Sequence, residues 1–292
     1  MNDASFHSSR EDVQKERAPS DARSGARGDA RGDARSDGKA GEGILTNGAL
    51  DPAGEATLEL FRENSAYSEF LWRRLVSLSP RPFQGRVLEI GCGIGNLTRI
   101  LLRSSAVTFL QAIDLDPAYV ERVEREASDP RLEAVVARAD AYCPEAHRSE
   151  EGGFDFVVSS NVLEHIEDDV GTLLNVRRML KKEGVALILV PAHPFLFSTL
   201  DQALSHFRRY RRRDIHELAR KTGLRVMRLR HFNPVGALGW WLNGKVLRCR
   251  ALPEGQLSFY NRFAIPISRF LDSVNPFPFG VSLLAVLGPS DQ

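Results

Sequence analysis

The chain has 292 residues, 42% of them apolar, with a formal net charge of +1. That length and apolar content suffice for a substantial core. The near-zero charge excludes a global attraction for nucleic acid or acidic membranes, so any basic surface must be local. Cys92, Cys143 and Cys249 form no CxxC pair and no ligand-spaced cluster, which argues against a disulfide scaffold or a structural zinc. The first residues carry no apolar signal core, and no uncharged apolar run reaches the roughly 18 residues of a spanning helix, so a cytoplasmic protein is expected.

Residues 1–50 read as a low-complexity tail. Phe6 is their only aromatic, and Arg23, Arg27, Arg31 and Arg35 recur at four-residue intervals among small and acidic residues. Too little apolar surface is present to offset chain entropy, so disorder is predicted, and the two RGD triplets read as low-complexity drift rather than adhesion motifs. Residues 51–84 are expected to form a helical cap. Leu60, Tyr67, Phe70, Leu71, Leu75 and Leu78 fall near one helical face, Ser65 is placed as an internal cap, and Pro80 and Pro82 end the pattern.

Strand and helix signals then alternate through residues 85–292. Strands are predicted at 86–90, 107–113, 133–138, 154–159, 185–191, 224–231 and 281–287, and helices at 95–103, 117–127, 168–181 and 214–222. This rhythm predicts an α/β fold with a doubly wound, mostly parallel sheet and ligands at the carboxyl ends of its strands. Insertions at about 193–213 and 233–278 interrupt it. The second is too long for a plain loop and should be partly helical.

The first strand runs into "VLEIGCGIGNLT", residues 87–98. A dinucleotide loop reads G-x-G-x-x-G, but here the third glycine comes one place early and the sixth position is Asn96. Gly91, Cys92, Gly93, Gly95 and Asn96 still let the backbone pass close to a ligand. Glu89, just before them, would repel a pyrophosphate and welcome a cation. Asp114 ends the second strand beside Leu115, where a carboxylate can take both ribose hydroxyls. Asp140 ends the third beside Ala141 and can accept from an adenine amino group. Three acids on consecutive strand ends, with no phosphate-binding cation apparent nearby, suit an adenosine carrying an amino acid and a sulfonium.

With these motifs, and with "FDFVVSSNVLEHIED" and "LKKEGVALILVPA" in order after them, the chain resembles the class I S-adenosylmethionine-dependent methyltransferases over about residues 56–288. The resemblance implies a seven-stranded Rossmann-like sheet with an antiparallel last strand and S-adenosyl-L-methionine as cofactor. It also implies that Asn161, and less directly Val162, line the methionine end. Some relatives hold a divalent metal through E-x-x-E-H and a distant histidine. Asn161 stands where the first of those glutamates would be, so no metal site is expected.

In-line methyl transfer needs a nucleophile aligned with the methyl and, for some acceptors, a base. His165 in "LEHI" is one candidate base; His193, beside Pro194, is another. The segment "PAHPFLFSTLDQALSHFRRYRRRDIHEL" leaves the fifth strand at the ligand edge, and His206, Arg209 and Tyr210 are its candidate acceptor residues. The arginines would suit an acidic or phosphorylated acceptor. Arg211, Arg212 and Arg213 read as a solvated approach to a helix opened near Asp214 by its capping-box spacing to Glu217. The 233–278 insertion mixes Trp240, Trp241, Leu242, Phe259, Tyr260, Phe263, Ile265 and Phe270 with Lys245, Arg248, Arg250, Arg262 and Arg269. It reads equally as a helical lid and as a greasy acceptor pocket or contact with the inner membrane face. The expected acceptor is small and apolar, with a lipid-like or isoprenoid-linked molecule included. A nucleic-acid methyltransferase, an NAD-dependent oxidoreductase and a noncatalytic binder of the same cofactor are the alternatives.

Overall fold

The computed structural model describes residues 52–63, 65–148, 153–251, 266–268, 270 and 279–290. The predicted N-terminal tail lies outside these residues, as do Phe259, Tyr260, Phe263 and Ile265 of the second insertion.

The helical cap is two helices, α1 (Pro52–Glu63) and α2 (Ser65–Ser77). The sheet then begins with β1 (Gly85–Ile90), α3 (Asn96–Leu102), β2 (Val107–Asp114), α4 (Pro117–Ala127) and β3 (Leu132–Val136). It continues with β4 (Phe154–Ser160), α5 (Asp169–Met179) and β5 (Leu180–Pro191). The short α6 (Thr199–Ala203), α7 (Arg212–Lys221), β6 (Leu224–Phe232), α8 (Pro234–Trp241) and β7 (Ser282–Pro289) complete it. The strand order is β3-β2-β1-β4-β5-β7-β6. β7 runs antiparallel to both β5 and β6, while β1 to β5 pair in parallel.

The two-residue period of β5 explains the layering. Ala186, Ile188 and Val190 face one core with Leu173 and Val176 of α5 and Ile215 of α7. Val185, Leu187 and Leu189 face the other with Leu75 of α2 and Leu101 of α3. A strand covered on both sides needs apolar residues on both, hence the unbroken "VALILV" run.

Boundaries shift from expectation by a residue or more at several elements, and the cause is local at α5 and α7. The helix predicted to 181 stops at Met179, because Leu180 already pairs with Phe154; the pairing then shifts, so that Phe156 meets Val185 and the "KKEG" segment bulges out of register. The helix placed near 214 begins at Arg212. Asp214 occupies its third position and accepts the Arg211 backbone N–H at 2.8 Å, so it closes the cap from inside the helix instead of opening it.

Candidate cofactor and acceptor site

The glycine loop leaves β1 between two neighbouring strands. Gly91, Gly93 and Gly95 all have positive φ, at 76°, 50° and 80°. At Gly91 a Cβ would sit 2.3 Å from the Val162 side chain, so the turn after β4 packs directly on the loop. This contact, together with the left-handed backbone, requires glycine there.

Glu89 has 1% of its surface exposed. Thr98 Oγ1 donates to its Oε2 at 2.7 Å, while Oε1 has no partner. Burial pushes its carboxyl up to about 8, against the hydrogen bond from Thr98. Asp114 is also largely enclosed. Its Oδ2 accepts the Gly93 N–H at 2.8 Å and its Oδ1 the Asp116 N–H at 3.1 Å, but burial outweighs them and holds its pKa above the usual range. Leu115 stands 64% exposed immediately beyond it. An unsatisfied buried carboxylate oxygen, a close-approach glycine turn and an apolar side chain open to solvent at the ribose end fit a cationic nucleoside.

Other predicted cofactor residues are occupied differently. Cys92 is buried beside Ala112 and Val123, so only its backbone faces the loop. The Asn96 amide donates to Leu58 O at 2.9 Å and its oxygen accepts from Arg99 at 2.9 Å. That side chain pins α1 over the loop, where Leu58 lies against Gly93. Asp140 is gripped by Arg138 through two bonds, Nη2–Oδ2 at 2.6 Å and Nε–Oδ1 at 3.1 Å. The sequence reading of an acid without a nearby cation is corrected here, since a two-residue spacing lets Arg138 fold back. Ala141 and Asn161 are exposed, and Asn161 takes a positive φ of 53° while its N–H donates to Leu189 O at 3.0 Å.

Two of the predicted acceptor residues, His206 and Arg209, converge on Asp201, which is fully buried. Its Oδ1 meets Arg209 Nε at 2.6 Å and His206 Nδ1 at 3.0 Å. Its Oδ2 accepts from Ser198 N, Ser198 Oγ and Trp240 Nε1 at 2.9, 3.1 and 3.0 Å. Burial alone would raise this carboxyl; His206 and Arg209 hold it down, at about 2. Arg209 also donates to Ala192 O at 3.0 Å and lies over the Trp240 ring at 4.8 Å. Only 4% exposed, it is directed into this network, not toward an acceptor anion. Tyr210 is buried as well. Its hydroxyl donates to Leu163 O at 3.2 Å and lies 3.1 Å from Asp169 Oδ2, so it too serves the frame.

That frame is stitched to the turn after β4. Phe207 N donates to Glu164 O at 2.8 Å, and Arg208 reaches Glu167 O and Asp169 at 2.9 Å each. The stitching sets the His206 ring edge-on to His165, centroids 4.7 Å apart. His165 is open at the surface, yet the packing around it, with His206 adding repulsion, holds its pKa low. Glu164 beside it is 0% exposed with neither carboxylate oxygen hydrogen-bonded. His193 lies apart from this pair, stacked on His231 at 4.7 Å and on Phe279 at 4.6 Å. Of the arginine run, Arg212 donates to Leu229 O at 2.8 Å, and Arg211 and Arg213 are exposed.

A profile of the methyltransferase-domain family matches residues 60–229. The chain belongs to this family. Its fold is that of the class I S-adenosylmethionine-dependent methyltransferases of solved structure. It is 28% identical over 123 residues to a malonyl-[acyl-carrier protein] O-methyltransferase of Paenibacillus sp. (strain JDR-2), covering 41% of this chain and 43% of that one. It is 32% identical over 112 residues to the ubiquinone biosynthesis O-methyltransferase of Roseobacter denitrificans, covering 37% and 42%. The chain thus spans less than half the length of these relatives. The S-adenosylmethionine-dependent methyltransferase of Mesorhizobium loti superposes with a TM-score of 0.52 at 15% identity, covering 74% of this chain and 96% of the other. A Haemonchus contortus phosphoethanolamine N-methyltransferase, solved with phosphomonomethylethanolamine and S-adenosylhomocysteine, gives 0.51 at 18% identity, with 76% and 53% covered. Both likenesses concern the fold.

Sequence reasoning passed over Thr98, Leu58, Asp201 and Glu164 as site residues, and placed Trp240 only among the aromatic residues of the second insertion. Thr98 follows the loop by one helical turn and was legible from position alone. Asp201 and Trp240 are 39 residues apart and meet only through the fold.

Proposed function

We propose that this chain methylates an oxygen or nitrogen of a small acceptor that enters under the loop between β5 and α7 and meets His206 and His165. One observation carries the reading. The His206 ring, tied through Nδ1 to buried Asp201, stands against His165 on the turn that packs over the glycine loop. S-adenosyl-L-methionine, when bound, supplies a methyl carbon activated by a positive sulfur. Glu89 is placed to favour that positive charge, Asp114 to take the ribose hydroxyls, Asp140 to share its carboxylate between Arg138 and the adenine amino group, and Asn161 to line the methionine end. Arg209 and Tyr210 are positioning residues in this reading: they hold the loop that presents His206. The two curated relatives above are named O-methyltransferases, which supports oxygen as the accepting atom.

The acceptor's apolar character draws support from α8 and the turn after it. Leu238, Trp241, Leu242, Val246 and Leu247 are 44–65% exposed, beside exposed Lys245, Arg248 and Arg250. Such a face suits a lipid-linked acceptor approached at an anionic membrane surface. No helix among the described residues is long and apolar enough to cross a membrane. Sedimentation with phosphatidylserine vesicles tests the contact: Trp241→Ala with Leu242→Ala should leave the protein in the supernatant, and unchanged co-sedimentation would reject it.

The experiment for the main reading is labelled methyl incorporation into fractionated lysate, with S-adenosylhomocysteine affinity measured by calorimetry on the same protein. His206→Ala should lower methyl transfer while leaving that affinity within about twofold. Full turnover in this variant would remove the acceptor from this loop.

A further inference from the structure

A cavity of about 280 Å³ lies between the start of α6 and the turn that follows α8. We propose that it binds the phosphate monoester group of the acceptor, with Lys245 and Arg248 as its cationic ligands. Such a site deepens the methyltransferase reading and rests on it.

Residues 242–246 continue α8 in the wider π geometry, and Leu247 N donates to Leu242 O at 2.9 Å. Turns of this kind are frequent at functional sites. A Cβ at Gly244 would overlap the Ser198 side chain, so the turn lies directly against the start of α6. Thr199 Oγ1 is shared by Gly244 O and Cys249 O, at 3.1 and 2.5 Å, and Cys249 N donates to Asn243 O at 2.9 Å. Between these ties Arg248 takes a φ of 52°, a left-handed backbone that persists in a bulky residue only where its surroundings impose it. Tertiary bonds between segments 45 residues apart therefore shape the cavity.

Lys245 and Arg248 both line this space. Neither side chain has an ion-pair partner among the described residues, and no described carboxylate lines the cavity. Elsewhere on the surface Arg62, Arg103 and Arg122 reach carboxylates at 2.9, 2.6 and 2.7 Å. Asp201, behind Ser198, is already matched by Arg209 and His206. Two unmatched cations in one cavity suit a phosphate monoester, which carries about −1.5 to −2 at neutral pH. A carboxylate would balance only one of them. The guanidinium supplies a planar fork and the ammonium a point charge, both suited to phosphate oxygens. The Ser198 and Thr199 hydroxyl hydrogens are spent on Asp201 and on backbone carbonyls, which leaves the Gln202 amide as the neutral donor of the wall.

Pockets that enclose a whole small molecule run from about 300 to 1,000 Å³, so this one takes a headgroup and leaves the rest of the acceptor outside. Leu242 and Val246, on the same turn, are 44% and 52% exposed there. The acceptor class narrows to phosphate esters of apolar alcohols. Ser198 joins this cavity to the reacting end, because its N–H and Oγ both bond Asp201, the residue that holds His206.

The full chain is titrated by calorimetry with dihexanoyl phosphatidic acid, kept below its micelle concentration, and with glycerol 3-phosphate. One equivalent of the lipid should bind, and more tightly than glycerol 3-phosphate. Lys245→Gln and Arg248→Gln should each weaken it by about tenfold or more, the size expected when a hydrogen bond to a charged group is lost. Arg250→Gln, exposed on the same turn but not in the cavity wall, should stay within twofold, as should S-adenosylhomocysteine affinity in all three variants. Absence of lipid binding, or an equal loss in Arg250→Gln, overturns the site. Glycerol 3-phosphate bound as tightly as the lipid would keep the phosphate site and overturn the apolar part of the acceptor class. Phosphatase treatment of lysate fractions, with the phosphatase then removed, should abolish labelled methyl incorporation in them. Incorporation that survives the treatment overturns the link to the acceptor. No incorporation before or after it, with lipid binding intact, overturns the methyltransferase reading and keeps the site.

Discussion

The two halves of the site treat their buried acids in opposite ways. On the cofactor side, Glu89 is enclosed with a single hydrogen bond and one bare oxygen, and Asp114 is met only by backbone amides. On the acceptor side, Asp201 is saturated by Ser198, His206, Arg209 and Trp240. The first arrangement keeps polar capacity for a ligand that arrives with positive charge. The second uses its capacity internally, to hold a loop that has little regular structure of its own. Removing an acid should therefore cost ligand binding on one side and stability on the other.

The largest effect expected from breaking this contrast is in Asp201→Ala. It leaves Arg209 as a buried charge without its partner, and breaking such a pair costs about 3–5 kcal/mol. Denaturant unfolding should show the loss; a change under about 1 kcal/mol would mean that Arg209 finds water or another acceptor. Asp114→Ala is the counterpart. It should weaken S-adenosylmethionine binding by about 1.5–3 kcal/mol, the range for hydrogen bonds to a charged group, with the fold retained. Unchanged calorimetric affinity would withdraw Asp114 from the ribose.

Glu89 sharpens the comparison through pH. Its folded-state pKa is raised from 4.5 to about 8, so between these values the folded protein holds a proton that the unfolded chain has released. Stability without cofactor should then fall as pH rises through that window, by at most about 1.4 kcal/mol per unit. Glu89→Gln should remove this component, so its stability relative to the wild type grows from pH 5 to pH 8 and then levels. A difference that is flat across the window would show that Glu89 is already ionised in the fold. The smallest effect belongs to Arg213→Ala. The side chain is exposed and only 3.5 Å from Asp214 at best, so a change within about 0.5 kcal/mol is expected, with cofactor affinity and methyl transfer unaltered. A marked loss of transfer would overturn the reading of the exposed arginines as a solvated approach to α7.

The sheet and the glycine turn were legible in the chain itself. These rest on local patterns: apolar runs of strand length, glycine where positive φ is needed, and acids at strand ends fixed by their position along the chain. "VALILV" had to be a strand buried on both faces, and Gly91 could be nothing larger against Val162. Tertiary structure decided what each charged side chain does with that placement. Arg209 and Tyr210 carry the same chemical groups whether they meet an acceptor or brace a loop. Buried Asp201 and the Trp240 ring from a distant helix turn Arg209 inward, and Leu163 with Asp169 does the same for Tyr210. The same holds for Glu164, whose neighbours in sequence give no sign that His206 will stand beside it. A hydrogen bond needs its partners within about 3 Å, and for residues far apart along the chain only the folded backbone sets that distance.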